Sequence, residues 1–112
     1  MSRALADLTP DTRAAAERLL GFARAQGLNP VIQSTARSCA EQNALFAQGP
    51  TVTKVAGCRS WHVMGRAIDV HIGSENCAAY VPLANFWKRM GGRWGGDFPG
   101  FPDCVHFEFP HP

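Results

Sequence analysis

Two short stretches, SWHVMGRAID at residues 60–69 and DCVHFEF at 103–109, carry the side chains best suited to chemistry in this sequence. His62 and Asp69 flank Gly65, and His106 follows Asp103 and precedes Glu108. Two imidazoles and one carboxylate, His62, Asp69 and His106, form the ligand set expected of a catalytic zinc that leaves its fourth position to water. A structural zinc is more often closed by four protein ligands, thiolates among them. Hydrolysis at such a centre also needs a carboxylate outside the metal's own ligands, to take a proton from water and pass it to the leaving amine. Asp103 is the candidate, although a turn residue after Pro102 is its plainer reading. Glu108 alternates with His106 and is suited to orienting that ligand from behind.

For these residues to meet, the chain must place each stretch on a defined element. Ala67-Ile68-Asp69-Val70-His71-Ile72 alternates apolar and polar side chains, which predicts a strand over 66–72, with His62 at the end of the loop or turn before it. His71 shares the face of Asp69 and is either a rival ligand or a residue lining the site. The tail RWGGDFPGFPDCVHFEFPHP reads as a Gly/Pro-rich loop followed by a short strand from Cys104 to Phe109. On a regular strand, positions 103 and 106 point to opposite faces, so Asp103 belongs to the loop.

The remaining segments supply a scaffold. Thr9-Pro10 opens an amphipathic helix over about 9–26, with Ala15, Leu19, Phe22 and Ala23 on one side and Gly27 as its stop. Residues 30–35 are a strand candidate. Ser38 and Glu41 form a capping-box pattern that starts a helix from Cys39 to about Ala47, closed by Gly49-Pro50. Residues 50–61 read as a loop. Val81 to Met90, with Pro82 in the first turn, is a third helix that Gly91-Gly92 stops. The aromatic residues are mostly core, although Trp94 in the Gly-rich loop could equally wall a substrate groove. His111 is expected in solvent near the end. The sum is a small α+β fold, an antiparallel sheet with flanking helices and the zinc site on the sheet face.

At 112 residues, with 46% hydrophobic and 18% charged, the chain suits one domain spanning residues 1–112. A formal charge of +2 with no basic run argues against a nucleic-acid partner. No apolar stretch is long enough for a membrane span, and Asp7, Asp11 and Glu17 interrupt the N-terminus where a secretory leader would need an apolar run. Cys39, Cys58, Cys77 and Cys104 lack a CxxC spacing, which disfavours a four-thiolate zinc site. Their even number fits one or two disulfides, with three possible full pairings, or four reduced thiols in a cytosol. Cys39 with Cys58 is the favoured pair, because each flanks a suspected site residue.

The run SWHVMGRAID resembles the S-x-H-x-x-G-x-A-x-D motif of zinc D-alanyl-D-alanine carboxypeptidases and their relatives, the L-alanyl-D-glutamate endopeptidases of phage lysins and bacilli. WGGDFPGFPDCVHFEF resembles their WGG…D-x-x-H-F-E ending, and STARSCAEQNALFAQGP a stretch typical of the endopeptidase branch. The resemblance implies His62, Asp69 and His106 as zinc ligands and Asp103 as acid/base. It also implies Arg37 as the group that binds and polarises the substrate, with Ser60 and Gln42 lining or bracing the site. Arginine suits that role because its fork matches a carboxylate, although Arg37 could instead pair with Glu41.

The expected activity is cleavage of peptidoglycan stem peptides by a monomer at the L-Ala–D-Glu bond. D-Ala-D-Ala carboxypeptidase activity is the first alternative. The second is a zinc-stabilised cell-wall-binding module that has lost catalysis, a loss also seen in the Hedgehog signalling domain of similar fold. The same resemblance places the protein at the bacterial cell wall or periplasm, reached by holin-type release or another leaderless route.

Overall fold

Alternation along Ala67–His71 divides a sheet into two chemically different faces. Ile68 and Val70 are fully buried and Asp69 points the other way. The computed structural model describes residues 2–49 and 60–110. Among these, three helices, α1 (Pro10–Ala25), α2 (Cys39–Ala47) and α3 (Val81–Arg89), accompany four strands, β1 (Val31–Ser34), β2 (Ala67–His71), β3 (Arg93–Trp94) and β4 (His106–Glu108). Short 3-10 turns occupy Leu5–Asp7, Cys77–Tyr80 and Gly95–Asp97. The strands lie in the order β1-β2-β4-β3, and each neighbouring pair is antiparallel.

The core lies on the apolar face of the sheet. Ile68, Val70 and Phe107 pack with Ala16, Leu19, Leu20 and Ala23 of α1 and Leu83, Ala84 and Trp87 of α3. Each large apolar side chain fully removed from water contributes about 1.5–3 kcal/mol. Phe22 and Phe86 stack with ring centroids 4.4 Å apart and join the two helices. Trp87 also donates its indole N–H to the carbonyls of Arg93 and Glu108, at 3.1 and 2.9 Å, which ties α3 to the β3–β4 edge.

Helix boundaries follow local chemistry. The capping box of α2 forms as expected, with the Glu41 backbone N–H donating to Ser38 Oγ and the Ser38 N–H donating to the Glu41 carboxylate. At α1 the expected cap differs in detail. The Thr9 hydroxyl bonds the side chains of Asp11 and Thr12, and it is Asp11 that accepts the Thr12 backbone N–H. The same Asp11 carboxylate binds Arg66, whose Nε also donates to the Phe109 carbonyl at 2.9 Å, so the start of α1 is fastened to the chain beyond β4.

Two expectations are corrected. The Gly-rich segment after α3, read as loop throughout, contains β3, a strand too short to show alternation. The terminal strand covers only His106–Glu108, because Asp103 and the residues just after it turn back on Gly95, whose carbonyl accepts the Asp103 N–H at 2.8 Å.

Candidate metal centre and active site

His62 occupies a turn that Gly65 makes possible. Gly65 has φ 69°, and a Cβ there would lie 3.1 Å from the carbonyl oxygen of Asp7, so both conformation and space select glycine. The Thr9 N–H donates to the Gly65 carbonyl at 3.0 Å, and Ser60 Oγ accepts the His62 N–H at 3.1 Å. This turn delivers the imidazole to the polar face of β2. Asp69 and His106 arrive by register, as directly opposed partners on β2 and β4. His62 Nε2 lies 3.1 Å from Asp69 Oδ1, while His106 Nδ1 lies 3.2 Å from each of those atoms.

The outer partners of the two histidines decide what faces that triangle. His62 Nδ1 is 2.9 Å from the Thr35 carbonyl, which can only accept, so Nδ1 carries the hydrogen and Nε2 presents its lone pair inward. His106 Nε2 donates to Glu108 Oε1 at 2.7 Å and leaves Nδ1 bare in the neutral ring. Two nitrogen lone pairs and a carboxylate oxygen therefore converge, with no hydrogen among them. That arrangement calls for a cation. Three corners of a tetrahedron with edges of this length lie about 2 Å from its centre, the distance at which zinc binds imidazole and carboxylate. Burial works against charge on His106, but hydrogen bonds to Asp69 and Glu108 outweigh it and raise the imidazole pKa to about 9. Burial likewise works to raise the Asp69 pKa, but the His106 and His62 hydrogen bonds hold the carboxyl well below the usual range.

Asp103 stands in the loop before β4, as its spacing from His106 required. Gly95 is packed so closely beneath it that a Cβ there would lie 2.2 Å from the Asp103 carbonyl oxygen. Burial raises the Asp103 carboxyl pKa, and the charge on Asp69 raises it further. A carboxyl so tuned can both take and return a proton. Beside it opens a cavity of about 360 Å³ lined by residues including Gln33, His71, Glu75, Tyr80 and Val105.

Of the other residues singled out, Arg37 Nη2 donates to Asp69 Oδ2 at 3.2 Å and Nη1 to Gln42 Oε1 at 3.0 Å. Gln42 is fully buried and so braces the arginine. Trp94 belongs to the core rather than to an open wall, and donates its indole N–H to the Cys104 carbonyl beneath the Asp103 loop. His71 lies outside the ligand trio; its Nε2 faces Glu75 at 3.3 Å and its Nδ1 accepts the Gly73 N–H.

Cys77 is joined to Cys104, and Cys39 is also in a disulfide. The expected partner Cys58 lies outside the described residues, as do Pro50 and His111. Reading the sequence alone missed the Thr35 carbonyl, which no residue type advertises, and Arg93, whose Nη2 meets Glu108 Oε2 at 2.7 Å.

Residues 53–109 match the family described as D-alanyl-D-alanine carboxypeptidase. The chain is 32% identical to the L-alanyl-D-glutamate peptidase of Listeria phage A118, a match covering 96% of this chain and 41% of that protein. It thus spans under half the length of the phage relative. It is 31% identical to the peptidoglycan L-alanyl-D-glutamate endopeptidase CwlK of Bacillus subtilis (strain 168), over 91% of this chain and 73% of that protein. In fold it is similar to a mutant form of the vancomycin-resistance D,D-pentapeptidase VanY from a VanB-type cassette, solved in complex with Zn(II). That likeness has a TM-score of 0.68 at 19% identity and covers 91% of this chain and 72% of the other.

Proposed function

Because the chain belongs to the D-alanyl-D-alanine carboxypeptidase family of metallopeptidases, we propose that it is a zinc-dependent peptidase that hydrolyses peptidoglycan stem peptides at the L-Ala–D-Glu bond. The observation that carries this reading is the convergence of three metal-accepting lone pairs next to a carboxyl of raised pKa that is not one of them. Zinc held by His62, Asp69 and His106 would polarise the scissile carbonyl and make water nucleophilic at neutral pH. Asp103 takes the proton of the attacking water and returns it to the leaving amine. Its raised pKa matches both tasks. Arg37, steadied by Gln42, offers its fork to a substrate carbonyl or carboxylate, and Ser60 holds the turn that aims His62. Trp94 supports the Asp103 loop from below.

Cleavage at L-Ala–D-Glu is favoured over removal of terminal D-Ala by the two L-alanyl-D-glutamate peptidase relatives at or above 31% identity. A binding module would have no use for Asp103. Digestion of purified cell walls, followed by mass spectrometry, tests the reading. New N-terminal D-Glu on intact glycan strands is the expected product. Free D-Ala would transfer the assignment to the carboxypeptidase alternative, and unchanged walls with zinc bound would favour the binding module.

A further inference from the structure

Glu108 is 3% exposed, and a buried carboxylate is costly unless both oxygens have partners. One oxygen accepts the His106 Nε2–H, and the other meets Arg93 Nη2. Arg93 is itself held. Its Cα is the direct cross-strand partner of Glu108, and its guanidinium lies 5.1 Å from the centre of the Trp61 ring, next to His62 in sequence. The Trp87 indole N–H, shared between the Arg93 and Glu108 carbonyls, fixes the backbone pair underneath. The chain of contacts runs Trp61, Arg93, Glu108, His106, and ends at the metal-facing Nδ1.

We propose that Arg93 is a positioning residue of the metal centre, which holds Glu108 turned so that its Oε1 accepts the His106 Nε2–H and His106 presents Nδ1 to zinc. The argument is one of donors and acceptors. Without Arg93, the buried Oε2 of Glu108 loses that partner, and the carboxylate gains from rotating toward solvent. Rotation takes Oε1 away from the His106 Nε2–H, so nothing fixes the ring's orientation or keeps its hydrogen on Nε2, and a hydrogen on Nδ1 blocks the metal-binding lone pair. Arg93 is not one of the three residues that would hold the metal, and it acts through Glu108.

This inference rests on reading the trio as a zinc site, so its test measures zinc rather than hydrolysis. Zinc affinity is determined by competition with a chromophoric chelator for wild type, Arg93→Met, Arg93→Lys, Glu108→Gln and the Arg93→Met/Glu108→Gln double variant. The melting temperature of each metal-free form reports folding. Loss of an outer partner of a metal-bound histidine weakens binding about 10–100-fold. Arg93→Met should fall in that range, and Arg93→Lys, which keeps the charge, should recover most of the affinity. In the Glu108→Gln background, Arg93→Met should cost almost nothing further. Wild-type affinity in Arg93→Met, or a full additional loss in the double variant, would overturn the role of Arg93 alone. A wild-type protein without zinc affinity would remove the zinc reading and this inference with it.

Discussion

At the scale of single residues, two carboxylates near the proposed metal site are held in different states by their partners. Asp69 is held ionised by two histidines, with Arg37 bonded to its other oxygen, as the proposed ligand role requires, while Asp103 is pushed toward its neutral form by burial and by the Asp69 charge. The division predicts different losses from the same chemical change. Asp103→Asn keeps the shape and removes proton transfer, so the variant should bind zinc like wild type while its turnover falls at least about 100-fold. Asp69→Asn should lose the metal instead. Zinc content by atomic absorption, set beside hydrolysis rate, separates the two. A fully active Asp103→Asn enzyme would move the acid/base role to another group.

Among elements, the loop that carries Asp103 is held from three directions. The Gly95 carbonyl accepts the Asp103 N–H, Trp94 donates to the Cys104 carbonyl, and the Cys77–Cys104 disulfide ties the loop to the 3-10 turn before α3. His106, by contrast, is fixed by the β2–β4 ladder, which the disulfide does not touch. Replacing both cysteines, Cys77→Ser with Cys104→Ser, should therefore lower turnover while leaving about one zinc per chain. The bridge spans 27 residues, and a ring of that size contributes about 3–4 kcal/mol to stability. Denaturant titration should show that loss. Unchanged turnover in a folded double variant would mean that Gly95 and Trp94 suffice to place Asp103. The element boundaries themselves were largely legible from local signals: the capping box at Ser38, the stops at Gly27 and Gly91, and the alternation through Asp69. The two-residue β3 was not, since its stability comes from pairing with β4 and from the Trp87 N–H, neither of which is local.

For the whole molecule, the proposed metal centre joins segments that are distant in the chain. His62 comes from a turn backed by the Thr35 carbonyl, Asp69 from β2 and His106 from β4. A ligand that binds only this folded arrangement stabilises it by mass action. Free zinc at a thousandfold excess over its dissociation constant adds about 4 kcal/mol, which for a domain of this size raises Tm by roughly 15 °C. Calorimetry with and without a chelator measures the difference, and an unchanged Tm would count against a metal at the trio.

The place of Asp103 in the loop before β4 and the pairing of Glu108 with His106 could be read from the sequence, because each depends on spacing within one turn or strand. The sequence also placed Gly65 between His62 and Asp69, and the structure showed why only glycine fits there. Only the tertiary structure decided which nitrogen of each histidine faces the Asp69 carboxylate, that Arg93 meets Glu108, and that Cys77 pairs with Cys104. Those choices depend on which distant segments lie side by side. Residue type constrains what a side chain can bond, and the register of β2, β3 and β4 selects the partner it meets.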